Sequence, residues 1–327
     1  DLFLNFFRTI AWIKIKNKKI IYFNTYFGLK KNFLFSLKNF SIPGFFIQKK
    51  IFNSPNISLR QDLLRKIKTN DKILKKILTK IIINIPTDYL ENFEEIKKTL
   101  VKNQNKKTPH AILTTTGFYF DTFKAMFAMN NISQGTKIIL MQHGGNKGHH
   151  KISFTDKYEI EISDFYCTWG WKSSLFKNKV VPLGLNKNIE KIKKYDEKIN
   201  SDNNGKLLFI IKTNRRFTKY LDYDICAENI YNYYTKFCFN FYQNLNNSIK
   251  KKVLWRLHKG NWNELDFFKK KFNQINFSDR NNEDFEKVIS QSKLTVCSYL
   301  STTFLECLAS NKPVILTISS PLNIYNK

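Results

Sequence analysis

The stretch Leu294 to Ile318, LTVCSYLSTTFLECLASNKPVILTI, reads as strand, hydroxyl-rich turn, short helix and second strand. Leu294 to Cys297 and Val314 to Ile318 are short apolar, partly β-branched runs of the kind that form buried parallel strands. Between them Ser298, Ser301, Thr302 and Thr303 precede an apolar helical segment, Phe304 to Ala309, which Asn311-Lys312-Pro313 then stops. A helix that opens at the carboxyl end of a strand points its free N–H groups and its positive dipole end at the crevice where α/β sheets bind ligands. Phosphate suits that geometry. Thr303 and Glu306 also have the spacing of a capping box, in which hydroxyl and carboxylate each satisfy a backbone donor. The two readings agree on the hydroxyls and leave Glu306 open between helix cap and ligand contact.

Outward from this unit, the second half of the chain alternates strand and helix. Leu207 to Ile211, Val253 to Leu257 and Ile275 to Phe277 read as strands. Ile225 to Ile249, Leu265 to Phe272 and Asp284 to Ser290 read as helices. Such alternation implies a parallel, doubly wound sheet. Cations recur after its strands: Lys212, Arg215 and Arg216 after the first, Arg256, His258 and Lys259 at the second. With Ser301 to Thr303 they form a candidate pocket for a diphosphate or nucleotide phosphate, although each taken singly reads equally well as surface charge.

In the first half, Ile20 to Phe23, Ala111 to Leu113 and Lys137 to Met141 read as strands, and Thr122 to about Met129 as a helix after the turn at Thr114 to Gly117. Leu59 to Ile83 and Asp88 to Val101 read as amphipathic helices, the latter with Leu90, Phe93, Ile96 and Leu100 on one face. Lys137 to Met141 runs into Gln142-His143-Gly144-Gly145, where a polar residue, an imidazole and two glycines suit close backbone approach to a ligand. His143 can exchange a proton near pH 7, and a loop histidine before glycines can equally be structural. Lys147, Gly148, His149 and His150 extend a basic, mobile loop. The His149-His150 pair lacks Cys, Asp or Glu at a useful nearby spacing, so no metal is expected. Glu159 to Trp171, EIEISDFYCTWGW, alternates polar and apolar residues and contains strand-like Phe165 to Thr168; VVPLGL, Val180 to Leu185, closes this half. The organisation expected is an N-terminal α/β domain over residues 1–186, a charged, Asn-rich linker over 187–205, and a C-terminal domain over 206–327.

With 327 residues the chain can bury two cores. The formal charge of +29 is compatible with nucleic acid, an acidic membrane surface or anionic substrates. The lysines are dispersed through a chain rich in Asn, Ile, Phe and Tyr, so a biased composition explains the charge as well as a polyanionic partner does. Five cysteines without C-x-x-C spacing fit neither a disulfide framework nor a zinc site and point to a reducing cytoplasm. No apolar run approaches the ~20 residues of a membrane helix, and the start lacks the order of a signal peptide. A start without Met and a stop at Lys327, straight after a strand-like run, read as a fragment whose closing helices are missing. Neither G-x-G-x-x-G nor G-K-[ST] occurs, which argues against dehydrogenase and P-loop readings. Asp222-Tyr223-Asp224 has the form of a metal-holding D-x-D, but no buried strand leads into it.

Thr116 to Lys124 (TGFYFDTFK), Gln142 to Gly145 (QHGG) with Gly148, Glu159 to Trp171 (EIEISD…TWGW) and Pro182-Leu183-Gly184 occur in one order along the chain. In that order they resemble the signature of a transferase family of bacterial surface-polysaccharide and O-antigen biosynthesis. The S-T-T-F-L-E and N-K-P-V-I-L segments look like those of GT-B glycosyltransferases. They are more distantly similar to capsule Kdo transferases and CDP-glycerol glycerophosphotransferases. QHGG with TWGW is specific, whereas the C-terminal motif is widely shared, and Lys147 stands where an aromatic residue is common. The resemblance implies two Rossmann-like domains facing a cleft, the C-terminal one truncated here, with the acceptor on the N-terminal domain and a nucleotide donor on the C-terminal one.

It further implies transfer of a sugar or polyol phosphate from an activated nucleotide donor to a glycan or lipid-linked acceptor, without metal or other cofactor. Carried onto this chain, His143 would be the base or a group that positions the acceptor. Lys212, Arg215, Arg256, His258, Ser301, Thr302 and Thr303 would bind donor phosphates, and Glu306 the donor's sugar or ribose hydroxyls. Gln142, Gly144, Gly145, Asp164 and Trp171 would line the acceptor loop. Arg256→Ala and His143→Ala should each abolish transfer while leaving the fold intact. The expected location is cytoplasmic, with peripheral contact to the inner membrane allowed and no nucleic acid expected. A different class, a non-catalytic basic protein binding nucleic acid or an anionic membrane surface, rests on the charge alone, and no recognisable nucleic-acid module accompanies it.

Overall fold

The computed structural model describes residues 20–27, 31, 34, 38, 54–102, 108–119, 121–149, 153–185, 192–195, 205–212, 230–257, 264–272, 275–278 and 282–317. Cys226, His150, Arg215, Arg216, Asp222 to Asp224, His258 and Lys259 lie outside them. The chain divides into two compact units, Asp1–Met141 and Gln142–Lys327.

In the first unit, strands β1 (Ile20–Phe23), β2 (Ala111–Thr114) and β3 (Lys137–Met141) pair in parallel in that order. β2 is buried at every position, as a strand covered on both faces must be. The described residues of this unit also form helices α1 (Ile57–Arg65), α2 (Lys72–Asn84), α3 (Phe93–Lys102) and α4 (Thr122–Ile132), with α1 packed on α2 and α4 on β3. Asn56, Asp71 and Asp121 cap α1, α2 and α4 through their side chains. The helix expected from Asp88 starts later, at Phe93. Thr87–Tyr89 forms a 3₁₀ turn closed by Leu90 N–H on Thr87 O, so Leu90 lies outside the helix. Ile96 and Leu100 are buried, but Phe93 is exposed.

In the second unit, α5 (Phe154–Ile162) leads to β4 (Phe165–Thr168), which pairs in parallel with β5 (Val180–Pro182). Glu159 to Ile162, alternating in sequence, therefore finish a helix; Ser153 caps its start through the Asp156 N–H. The remaining strands are β6 (Lys206–Ile211), β7 (Val253–Leu257), β8 (Asn276–Phe277), β9 (Ser292–Cys297) and β10 (Val314–Leu316). Among the described residues after β6 the α-helices are α6 (Lys236–Gln243), α7 (Asn247–Lys250), α8 (Glu264–Lys271), α9 (Phe285–Ser290) and α10 (Thr302–Ala309). The single long helix expected over 225–249 is instead a π-helical turn, Ile230–Thr235, then α6 and, after a break at Asn244, α7.

Among the described residues the strands pair in parallel in the orders β1-β2-β3, β4-β5 and β10-β9-β6-β7-β8, which makes the fold α/β with parallel sheets. The β6 sheet carries helices on both faces. On one, Tyr234, Cys238, Tyr242 and Phe268 pack against Phe209 and Trp255. Trp255 is fully buried, with Phe209, Phe268 and Tyr242 rings at 5.0, 5.0 and 5.4 Å. Such aromatic pairs each contribute ~0.5–1.5 kcal/mol beyond area burial. On the other face, Val288, Ile289, Phe304 and Cys307 pack on Leu208, Ile210 and Cys297, joined by Ile192. Burial pushes the Cys238, Cys297 and Cys307 thiols up, as for small apolar residues without reactive thiolates. The direction of winding reverses at β6, which has β7 on one side and β9 on the other, and ligands of open α/β sheets bind outside the carboxyl ends at such a point.

Candidate active site

Gln142, directly after β3 and 1% exposed, ties the two halves of the signature together. Its backbone N–H donates to Cys167 O at 2.9 Å. Its Oε1 accepts from the Trp169 backbone N–H and from Trp171 Nε1, both at 2.8 Å, and its Nε2 donates to Gly144 O at 2.6 Å. One buried amide thus fixes QHGG against TWGW, with both acceptor positions of its oxygen and one N–H engaged. Gly148 has φ +78°, and a Cβ there would stand 2.6 Å from the Trp171 ring, so glycine is demanded by both backbone and space.

Next to this knot lies a buried charge cluster. Lys147 is 2% exposed, and its Nζ contacts Asp156 Oδ1 at 3.0 Å, Glu159 Oε2 at 3.2 Å and Thr155 Oγ1 at 3.1 Å. The basic, mobile loop expected here is therefore wrong for Lys147, because two carboxylates of α5 hold it inside. The Gly148 N–H donates to Asp156 Oδ2 at 2.9 Å, and Tyr166 OH donates to Glu159 Oε2 at 2.7 Å. The other Glu159 oxygen faces His143, with Nδ1 to Oε1 at 3.3 Å. Burial pulls the His143 imidazole below its usual value; Glu159 and Asp156 act upward and Lys147 downward. A neutral imidazole backed by a fixed carboxylate is arranged to take up a proton.

The QHGG loop meets the amino end of α10. The Gly145 N–H donates to Thr302 Oγ1 at 3.2 Å, and a Cβ on Gly145 would come within 2.3 Å of Ser301 O. The His149 ring lies edge-on to Phe304, centroids 5.9 Å apart. Ser301 caps α10 with extended backbone, its Oγ accepting from Thr303 N–H at 3.2 Å. The capping box expected at Thr303 and Glu306 does not form, because the helix starts at Thr302 and leaves Glu306 beyond the capping turn.

At the switch point, the Lys212 N–H donates to Tyr234 OH at 2.6 Å, the phenol and Ser298 Oγ lie 2.5 Å apart, and Ser298 Oγ donates to Ile210 O at 2.8 Å. This chain joins the carboxyl ends of β6 and β9, and burial keeps the phenol protonated by raising its pKa well above the ordinary value. Arg256 stands level with Ile210 and Cys297 across β7, β6 and β9. It is 9% exposed; its Nη1 donates to Ser278 Oγ, which donates to Glu283, and its guanidinium stacks on Phe285 at 4.7 Å. Arg256 is thus built into the sheet, and Arg256→Ala would also remove structural support.

Of the expected residues, the structure brings Gln142, His143, Gly144, Gly145 and Trp171 into one assembly with Ser301 and Thr302, and Thr303 follows in the first turn of α10. Lys212 and Arg256 lie along the strand ends of the β6 sheet. Asp164 stands in the turn between α5 and β4. His258 and Arg215 fall outside the described residues. Sequence reasoning missed Asp156, Glu159, Tyr166 and Tyr234 as members. The spacing Ser153-x-x-Asp156-x-x-Glu159 held a usable signal, because a capped helix with acids three apart presents both on one face. Among the described residues no group of three or more His, Cys, Asp or Glu is placed to hold a metal ion. Nor is any helix there long and apolar enough to cross a membrane.

Solved structures similar to the chain include the wall teichoic acid polymerase TagF, at 13% identity, TM-score 0.31, over 68% of this chain and 65% of that one. A TagF H444N structure with CDPG is similar at 14% identity and TM-score 0.35, over 63% of this chain and 52% of that one. Acinetobacter baumannii MurG is similar at 10% identity and TM-score 0.37, over 93% of this chain and 72% of that one. The chain therefore spans 52–65% of the length of these polymerase chains. No curated protein matches. The profile of the LIC12162 family transferases matches residues 2–324, nearly the whole sequence, and the chain belongs to that transferase family.

Proposed function

We propose that the chain is a GT-B-type transferase that moves a sugar or a polyol phosphate from a nucleotide-activated donor to a hydroxyl of a surface-polysaccharide or lipid-linked glycan acceptor, on the cytoplasmic side. The observation that carries this reading is the meeting of a half-buried His143, paired with the buried Glu159, with the amino end of α10 through the QHGG loop. His143 Nε2 takes the proton of the acceptor hydroxyl as its oxygen bonds to the donor's carbon or phosphorus. Glu159 Oε1, 3.3 Å from Nδ1, stabilises by its charge the imidazolium that forms, and Tyr166 and Lys147 hold that carboxylate in place. The bond to the leaving nucleotide breaks in the same step, and its new negative charge falls to cations and helix N–H groups. In this reading Ser301, Thr302, Thr303, Lys212, Arg215, Arg256 and His258 supply them, so no metal is required, and Glu306 serves the donor's hydroxyls.

The first test is thermal stabilisation of the full-length protein by CMP, CDP, UDP, GDP and dTDP, with inorganic diphosphate as control. A ligand that binds only the native state raises its melting temperature. Selective stabilisation by one nucleotide is the expected result and names the donor class. Equal shifts from every polyanion would replace this reading with simple polyanion binding.

A further inference from the structure

Helix α2, KILKKILTKIIIN, turns an apolar face outward. Ile73 is 73% exposed, Ile81 54% and Ile77 51%, with Leu74 at 43%. At one hundred degrees per residue, positions 73, 77, 81 and 74 share one continuous arc. Ile77, Ile81, Ile85 and Pro86 continue it as a shallow apolar groove edged by Lys76 and Lys80. Isolated exposed apolar residues need no explanation, but a contiguous stripe of them does.

Lysines dominate the rest of the helix surface, where Ile83 and Asn84 are also exposed. Lys72, Lys75, Lys76 and Lys80 are all exposed, and α2 contains no acidic residue. This helix is also held firmly in shape. Asp71 Oδ1 accepts from the Ile73 and Leu74 N–H groups at its start. At its end the Arg60 guanidinium donates to Ile82 O, Ile83 O and Ile85 O at 3.1, 2.7 and 2.9 Å. Glu91 in turn holds Arg60 at 2.8 and 3.0 Å. The unit thus fastens both ends of a helix whose outer arc packs against nothing described.

We propose that α2 is an interfacial docking helix that seats this protein on an anionic lipid surface, with Ile73, Leu74, Ile77 and Ile81 in the acyl boundary and the lysines among the headgroups. An apolar stripe flanked by lysines, with no acid, is the pattern of helices that lie in a bilayer interface. The absence of acid separates this occupant from a second copy of the chain, since two such faces brought together would oppose eight lysines. The inference rests on α2 alone and stands apart from the transferase reading.

The test is flotation of the full-length protein with phosphatidylcholine vesicles and with vesicles in which phosphatidylglycerol replaces part of the phosphatidylcholine. Binding to the mixed vesicles and release by salt are expected. Each of Lys72→Gln, Lys75→Gln, Lys76→Gln and Lys80→Gln should weaken binding about five-fold. Ile77→Asp or Ile81→Asp should weaken it at least about ten-fold. Their melting curves and nucleotide shifts should match the parent, because these side chains are exposed. Absence of binding to mixed vesicles, or equal binding by the variants, would overturn the proposal. So would a parent dimer that Ile77→Asp converts to monomer without any effect on flotation.

Discussion

Two buried clusters of charge, each built on a capped helix, have opposite internal stoichiometry. Around Arg60 every guanidinium N–H has a partner: two go to Glu91 and three to the carbonyls that close α2. Around Lys147 one ammonium serves two carboxylates, Asp156 and Glu159, and Glu159 also faces a titratable imidazole. The first cluster is saturated and has nothing left to exchange. The second holds more acid than its lysine neutralises and ends on a group that can change charge near neutral pH. Buried charge alone therefore does not mark a functional site; an unbalanced cluster containing a proton acceptor is a candidate for one.

The strongest way to break this contrast is His143→Ala. Transfer should fall about 10²–10⁴-fold with the melting temperature unchanged, as steady-state rates beside a thermal melt would show. If activity survives, the second cluster is as structural as the first. Glu159→Gln sharpens the same point. It should lower the rate and also move the acid limb of the pH–rate profile further down, since Glu159 is the main group raising the His143 pKa. A carboxylate that served packing alone would leave that limb in place.

Lys147→Met should reduce stability by about 3–5 kcal/mol in denaturant unfolding, because it leaves two buried carboxylates without their cation. Gly148→Ala should lose about 1–3 kcal/mol through the positive φ and the clash with Trp171. The pH dependence of stability separates the clusters most finely. His143 titrates below 6.5 in the folded protein, so the unfolded chain binds protons first and stability declines as pH drops below that value. Glu91 is held down to about 2 from 4.5, chiefly by its hydrogen bond to Arg60. Its contribution is complete above pH 4.5 and is lost as pH falls toward 2, so Glu91→Gln should flatten the acid melt in that window only.

The strands were legible because parallel strands covered on both faces must be continuous apolar runs: KIILM and VLWRL match the observed elements, LLFII falls one residue short and LTVC two. Helix starts were less so. α10 begins at Thr302 because Ser301 has the extended backbone a cap needs, and the hydroxyl run offered several candidate caps with the same chemistry. The aromatic helix over 225–249 broke because periodicity alone does not reveal a π-helical turn, here set where Tyr234 reaches back to Lys212 and Ser298. In the site, the residues standing directly after strands could be named from sequence. For Asp156 and Glu159 the sequence carried only their shared helix face, because their role depends on Lys147 turning inward, and a lysine in a Gly- and His-rich loop ordinarily points to solvent.

The contact between Gly148 and Trp171 has a consequence for descent. The indole lies where any side chain at 148 would have to go, so the two positions carry one shared volume. A lineage that acquires a larger residue at 148 would have to surrender the indole at 171, and with it the Nε1–H that Gln142 Oε1 accepts. Drift at these sites should therefore be paired, with glycine and tryptophan inherited or abandoned together.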